Sequence, residues 1–275
     1  MTSTATARAL ATEARLDPDM QSGVGLALAG LVVLAWLANH VAMVWVLDPL
    51  ARPVFMAAQF ALQVWLSVGL FIIAHDAMHG SLAPGRRALN EAVGSLALRL
   101  YAGFSFRALL PKHQDHHRFA GTEADPDFDH ENPDRPVRWY LAFMGEYLSW
   151  RLFGWVTLLA TIYSTILFAL HPEGWWRWTH VFGFWLFPSL VASMQLFWFG
   201  TFLPHRHEAA AFGDRHNSRS NAYPAWLSLL TCFHFGYHHE HHLAPGVPWW
   251  RLPALRRAHL RAEREGPDPA QGVPA

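Results

Sequence analysis

Four stretches of this chain carry no Asp, Glu, Lys or Arg: Met20 to Leu47, Pro53 to His75, Leu152 to Pro172 and Trp178 to His205. Each is at least as long as the roughly 20 apolar residues with which a helix crosses a bilayer. A water-soluble chain of this size has no reason to keep four such runs free of charge. Only 15% of the residues are charged and 52% are hydrophobic, whereas an ordinary soluble domain is roughly 25% charged. The pattern predicts an all-α integral membrane protein with four transmembrane helices.

The remaining charge sets the sidedness. The two short connections on one side hold one Arg each, Arg52 and Arg177, and all other Lys and Arg lie in the termini, in 76–151 or in 206–264. The positive-inside rule then puts both termini and both large polar segments in the cytoplasm, as a helical cap over the four crossings. Residues 1–22 read as an N-terminal arm without the layout of a cleaved signal peptide. Residues 23–258 read as one membrane domain and 259–275 as a disordered tail. Lys112 is the only lysine; the sequence suggests no chemistry for it.

Several functions are excluded. Lys+Arg 21 against Asp+Glu 21 leaves no basic excess with which to bind nucleic acid. Cys232 is the only cysteine, so neither a disulfide nor a cysteine-held cluster forms within the chain. No glycine-rich nucleotide-binding string occurs.

What stands out is histidine, 18 in all. His75-Asp-Ala-Met-His79 is an HxxxH at the end of the second crossing, His113-Gln-Asp-His116-His117 an HxxHH in the middle segment, and His238-His239-Glu-His241-His242 contains a second HxxHH. His205 closes the fourth crossing, with His207 just beyond. Helical residues at i, i+3 and i+4 share a face, so each box aims its imidazoles at one point, as a metal site requires. All the groups fall on the same side of the membrane. Even at this chain's enriched histidine frequency, a chance HxxHH is expected only roughly 0.1 times per chain.

The boxes and His205 together supply nine imidazoles: His75, His79, His113, His116, His117, His205, His238, His241 and His242. One tetrahedral zinc takes about four ligands, so nine suit two metals. Imidazole alone does not choose among zinc, copper, iron and nickel. Each box also carries one acid, Asp76, Asp115 and Glu240, suited to accept a ligand's other N–H and fix its tautomer. Asp76 sits about 100° around a helix from His75, so it is expected to serve a neighbouring box. His40, His171 and His180 read as packing residues, and His130, His216 and His259 as solvated. His207, His234 and His239 are intermediate.

Three such boxes on a four-crossing chain resemble the membrane fatty-acid desaturase and hydroxylase superfamily. Within it, the strings HQDHHRFAGTEADPDFD, FWFGTFLPH and LTCFHFGYHHEHHLAPGVPWWRLP look like those of the bacterial β-carotene ketolases. The resemblance runs from about Gly25 to Arg257. It implies a non-haem di-iron oxygenase of a bacterial inner membrane that uses O2 to turn the ring C4 methylene of a carotenoid into a ketone. It implies that the three boxes bind two Fe, with His205 as a further ligand and Thr201 standing where a desaturase would offer Asn. It also places Asp125 and Asp127 beside the site. With no flavin, nicotinamide or iron–sulfur fold in the chain, electrons are expected from a separate donor such as ferredoxin and its reductase. Tyr101, Phe104 and Phe106, between the first two boxes, are candidates to line a substrate tunnel, or simply one face of an interfacial helix from Asn90 to Leu110. From another class comes a His-rich membrane metal transporter, whose ligands would lie near mid-membrane.

Overall fold

The computed structural model describes residues 12, 14, 16–47, 52–172, 178–207 and 212–265, and every regular element among them is helical. In chain order these are α1 Pro18–Val46, α2 Pro53–Met78, α3 Arg87–Ala102, α4 Phe106–Phe119 and α5 Pro136–Tyr147. After them come α6 Trp150–Leu170, α7 Thr179–His205, α8 Ala225–Cys232, α9 His238–Leu243 and α10 Leu252–Glu265. The four long ones, α1, α2, α6 and α7, coincide with the charge-free runs and are apolar enough to cross a bilayer. The chain is therefore an all-helical membrane protein. The expected turn at 48–51, residues 173–177, most of the N-terminal arm and residues 266–275 lie outside the described residues.

Local chemistry explains the helix starts. The Asp17 carboxylate accepts from the backbone N–H of Asp19 at 3.0 Å and Met20 at 3.3 Å, capping α1. Pro53 and Pro136 open α2 and α5, where a missing N–H costs nothing. The first crossing thus begins at Pro18, and the boundary drawn at residue 22 falls inside α1.

α2 is the central helix, packing against α1, α3 and α7. Polar pairs tie it to α1 within the apolar layer: Asn39 Nδ2 to Gln63 Oε1 at 2.7 Å, and Trp36 Nε1 to Ser67 Oγ at 3.0 Å. Such groups must be satisfied internally where no water reaches. α6 is the outer helix; Leu158, Ile162, Ile166 and Leu170 stay exposed on it, as suits a lipid-facing surface.

Two expectations need correction. The single helix foreseen over Asn90–Leu110 is two, because Gly103 adopts a left-handed φ of 73° and ends α3, its N–H reaching Arg99 O at 3.1 Å. The tail foreseen from residue 259 instead starts inside α10. Leu252, Leu255, Ala258 and His259 form one buried face of that helix, which packs with Tyr237, Val247 and Ala14 of the arm in a small separate core.

Candidate metal centre

The nine histidines converge. His75 and His79 end α2, His205 ends α7, and α4 and α9 carry the other six. Those nine fall into two groups, each with its ligand atoms within 4.8 Å of one another: His75, His79, His113, His117 and His241 in one, and His116, His205, His238 and His242 in the other.

The boxes do not map one to a centre. At 3.6 residues per turn, positions i and i+4 lie about 40° apart, while i+3 lies about 60° to the other side. In α4, His113 and His117 accordingly join the five-histidine group and His116 the four-histidine group. In α9 the i, i+4 pair His238 and His242 joins the four-histidine group, and His241 the other. Each HxxHH therefore serves both centres, rather than aiming at one point.

The fit to a metal can be tested on nitrogen positions. Nε2 atoms face each other between His79 and His113 at 2.6 Å, His117 and His241 at 3.0 Å, His205 and His238 at 2.9 Å, and His238 and His242 at 2.9 Å. Two ligands at right angles on one ion, each about 2.0–2.1 Å from it, stand about 2.9 Å apart. His205 Nδ1 donates to the Asn217 carbonyl at 2.7 Å, which leaves its Nε2 lone pair pointing at His238. Both ring nitrogens of His75, and Nδ1 of His238 and His242, are buried without a hydrogen-bond partner among the described residues. Facing lone pairs repel one another; a cation between them turns the same arrangement into attraction. The residues present fit two metal ions.

Electrostatics agree. Burial, followed by the like charge of neighbouring imidazoles, holds His79, His113, His117, His238, His241 and His242 well below the ordinary histidine pKa. They are kept in the neutral form, which is the ligand form. His116 differs. Burial opposes its charge, but the carboxylates of Asp125 and Asp127 outweigh this and hold it up to about 9.

Of the five acids singled out, Asp125 is the one hydrogen-bonded to a histidine of the two groups. Its carboxylate accepts from His116 Nδ1 at 2.9 Å and from the backbone N–H of Gly121 and Asp127 at 2.8 and 2.9 Å. Asp127 lies 3.7 Å from His116 Nδ1 and accepts a hydrogen bond from Tyr147. Asp76 is buried but serves no neighbouring box: its nearest histidine is His75, at 3.9 Å, and it accepts from the Trp249 N–H at 3.1 Å, tying the α9–α10 connection to α2. Asp115 is exposed, because it projects from the face of α4 opposite His113 and His117. Glu240 is fully buried but points away from the ligands, toward Arg256 Nη1 at 2.6 Å, His259 Nδ1 at 2.8 Å and the Ser220 hydroxyl. His259 is therefore part of a buried network and not solvated.

His207 packs on Phe128, His234 stacks near Tyr237 and Trp249, and His239 bonds Ser218 at 3.2 Å. None joins either group. Thr201 is buried in the π-helical turn Trp198–Phe202 that leads into His205; such turns often mark functional sites.

Beside the five-histidine group opens an apolar cavity of about 340 Å³ between α3, α5, α6 and α7. Tyr101 and Phe104 line it, with His113 and Asp127 at its wall. Phe106 does not; it packs against Gly94 and lines a separate cleft with His79, Arg86 and Arg107. Tyr147, on the cavity wall, was not foreseen, since nothing in its spacing sets it apart. Lys112 was also passed over: its Nζ stands 4.9 Å over the Tyr147 ring and 2.6 Å from Glu146 Oε1.

Comparison with known proteins agrees with this geometry. Residues 50–271 match the family model "Fatty acid desaturase". The chain is 54% identical over 236 residues to a β-carotene ketolase of Paracoccus sp. (strain N81106 / MBIC 01143), covering 86% of this chain and 93% of that one. It is 52% identical over 240 residues to a β-carotene ketolase of Paracoccus sp. (strain PC1), covering 87% and 95%. A zeaxanthin 4-ketolase of Chlamydomonas reinhardtii is 35% identical over 245 residues, covering 85% of this chain and 53% of that one.

Proposed function

The chain belongs to the fatty acid desaturase family, and we propose that within it the protein is a β-carotene ketolase holding two non-haem irons. It converts the C4 and C4′ ring methylenes of β-carotene to ketones, giving echinenone and canthaxanthin. The observation that carries this reading is the apolar cavity ending at His113, in a chain more than half identical to ketolases over most of its length.

The nine histidines would hold the metals, five around one and four around the other. When bound, the iron pair supplies the redox reactivity toward O2 that breaks an unactivated C–H bond, which redox-inert zinc cannot supply. The protein's own part is placement. Asp125 fixes the His116 tautomer by accepting its Nδ1 proton, so Nε2 is free to ligate. Hydrocarbon walls from Phe71, Leu109, Val156 and Leu186 receive a carotenoid ring and exclude water. The exposed apolar surfaces of α6 and α7 suit delivery of a C40 hydrocarbon from the bilayer.

Each hydroxylation takes one O2, two electrons and two protons, puts one oxygen atom into a C4–H bond and releases the other as water. Two at the same carbon give a gem-diol, which loses water to become the ketone. The electrons come from a separate donor such as ferredoxin and its reductase. The excess of Arg on the polar segments supports a metal centre on the cytoplasmic side of a bacterial inner membrane.

Expression in a β-carotene-producing bacterium tests the reading. Echinenone and canthaxanthin are the expected pigments, with about two irons per purified chain. Ring-hydroxylated carotenoids alone would make the protein a hydroxylase, and zinc without O2-dependent turnover would favour a metal carrier.

A further inference from the structure

An all-hydrocarbon substrate gives a cavity no reason to carry polar groups, yet this one does. Its wall includes the hydroxyls of Tyr101, Tyr147, Ser189 and Ser193 and the carboxylate of Asp127, beside His113. Three of the hydroxyls bond within the fold. Tyr101 donates to the Ser189 carbonyl at 3.2 Å, Ser189 donates to the Trp185 carbonyl at 2.8 Å, and Ser193 donates to the Leu190 carbonyl and pairs with Tyr140, both at 2.7 Å.

Tyr147 is different. Its proton goes not to a backbone carbonyl but to a carboxylate, Asp127 Oδ1, which also lines the cavity, so the hydroxyl is oriented by a charged group while its oxygen keeps lone pairs with which to accept a further hydrogen bond. The ring is held in place by Phe143, with centroids 4.8 Å apart, and by the Lys112 ammonium at 4.9 Å, itself anchored 2.6 Å from Glu146. An acceptor fixed this way in an apolar pocket is a cost for any ligand that cannot donate to it. It is an advantage for one that can.

Resting on the ketolase reading, we infer that Tyr147, oriented by Asp127, makes the product a ketone and not an alcohol. Its phenolic oxygen accepts the hydrogen bond of the C4 hydroxyl installed in the first oxidation, keeping the alcohol in the cavity for the second. That second step replaces the remaining C4–H with a hydroxyl, using another O2 and two more electrons and protons from the donor, and the gem-diol then sheds water. Tyr147 is thus a specificity-determining residue, needed for the second oxidation and dispensable for the first.

The test compares the full-length parent with Tyr147→Phe and Tyr140→Phe in a β-carotene-producing host, reading the ratio of 4-keto to 4-hydroxy carotenoids, β-carotene consumed and iron per chain. In Tyr147→Phe the ratio is expected to fall by roughly five- to tenfold, the worth of one neutral hydrogen bond, with iron per chain unchanged. Tyr140→Phe, on the same helix, should leave the ratio as in the parent. An unchanged ratio in Tyr147→Phe overturns the inference, as does loss of both products with iron retained. Should that variant not accumulate, the parent decides: supplied 4-hydroxy-β-carotene should be ketonised with a lower KM than β-carotene, and equal KM values overturn the inference. A parent that makes no ketone overturns the ketolase reading too, so the two failures are distinct.

Discussion

Replacing Glu240 by Gln probes how the third histidine box is held. The carboxylate is fully buried and accepts from Arg256, His259 and Ser220; the Arg256 side chain is only 20% exposed, so little water screens the pair. Burial alone would raise the pKa of Glu240, but the His259 hydrogen bond and the Arg256 charge hold it down to about 2, from the usual 4.5. At about 1.4 kcal/mol per pKa unit, this depression corresponds to about 3 kcal/mol. Breaking a buried ion pair costs a similar ~3–5 kcal/mol. Because the folded pKa lies below the unfolded one, the stabilisation is present above pH 4.5 and is lost as pH falls toward 2.

Glu240→Gln keeps the shape and removes the charge. In detergent at neutral pH its unfolding midpoint should fall by about 6–12 °C, and the gap to the parent should close as pH drops below the ordinary carboxylate range. His238, His241 and His242 flank Glu240 on α9, so metal retention should weaken as well, by about 10–100-fold. A midpoint within about 2 °C of the parent, with metal content unchanged, would falsify the view that α10 clamps the box from behind.

Three further outcomes follow from the site. Asp125→Ala removes the acceptor of the His116 proton and strands two backbone N–H groups, so iron affinity should drop about 10–100-fold; iron per chain after dialysis checks it, and full retention would refute the role. Gly200→Ala puts a Cβ 2.7 Å from the Phe235 ring, which stands 4.6 Å from His75 and 4.9 Å from His238 between centroids. Overpacking of about 1–3 kcal/mol should appear as a lower melting point with reduced turnover, and an unperturbed variant would mean the ring yields freely. Leu190→Trp, on the cavity wall, should cut ketone formation severely while leaving iron per chain intact. Normal turnover would place the substrate elsewhere.

Much of the site was legible because its chemistry is local. Spacing along a helix told which imidazoles share a face, and all nine nominated histidines lie in the two groups. Spacing parts the i+3 histidine of each box from its i, i+4 pair, but it does not tell which part meets which. That His241 joins His113 and His117, and His116 joins His238 and His242, is set by how α4 and α9 face each other across the site, and that packing is written in no single box. The acids were read less well. A carboxylate next to a histidine in sequence points about 100° away on a helix, which is why Asp115 is exposed and why Glu240 finds Arg256 and His259 rather than a ligand. Asp125, nine residues beyond His116, reaches it only because the chain turns at Gly121, where φ is 69°.

The amino-acid order by itself determined the solvent this chain folds in, the number of its crossings and the type of atom that would grip a metal. These follow from charge-free length and from residues three or four apart, quantities that survive without tertiary contacts. Only the folded structure decided which imidazoles gather together, which carboxylate holds which ring, that Tyr147 lines the apolar cavity with Lys112 over its ring, and that the C-terminal helix braces the third box. Each of those joins groups distant along the chain, and such meetings are set by how whole helices pack.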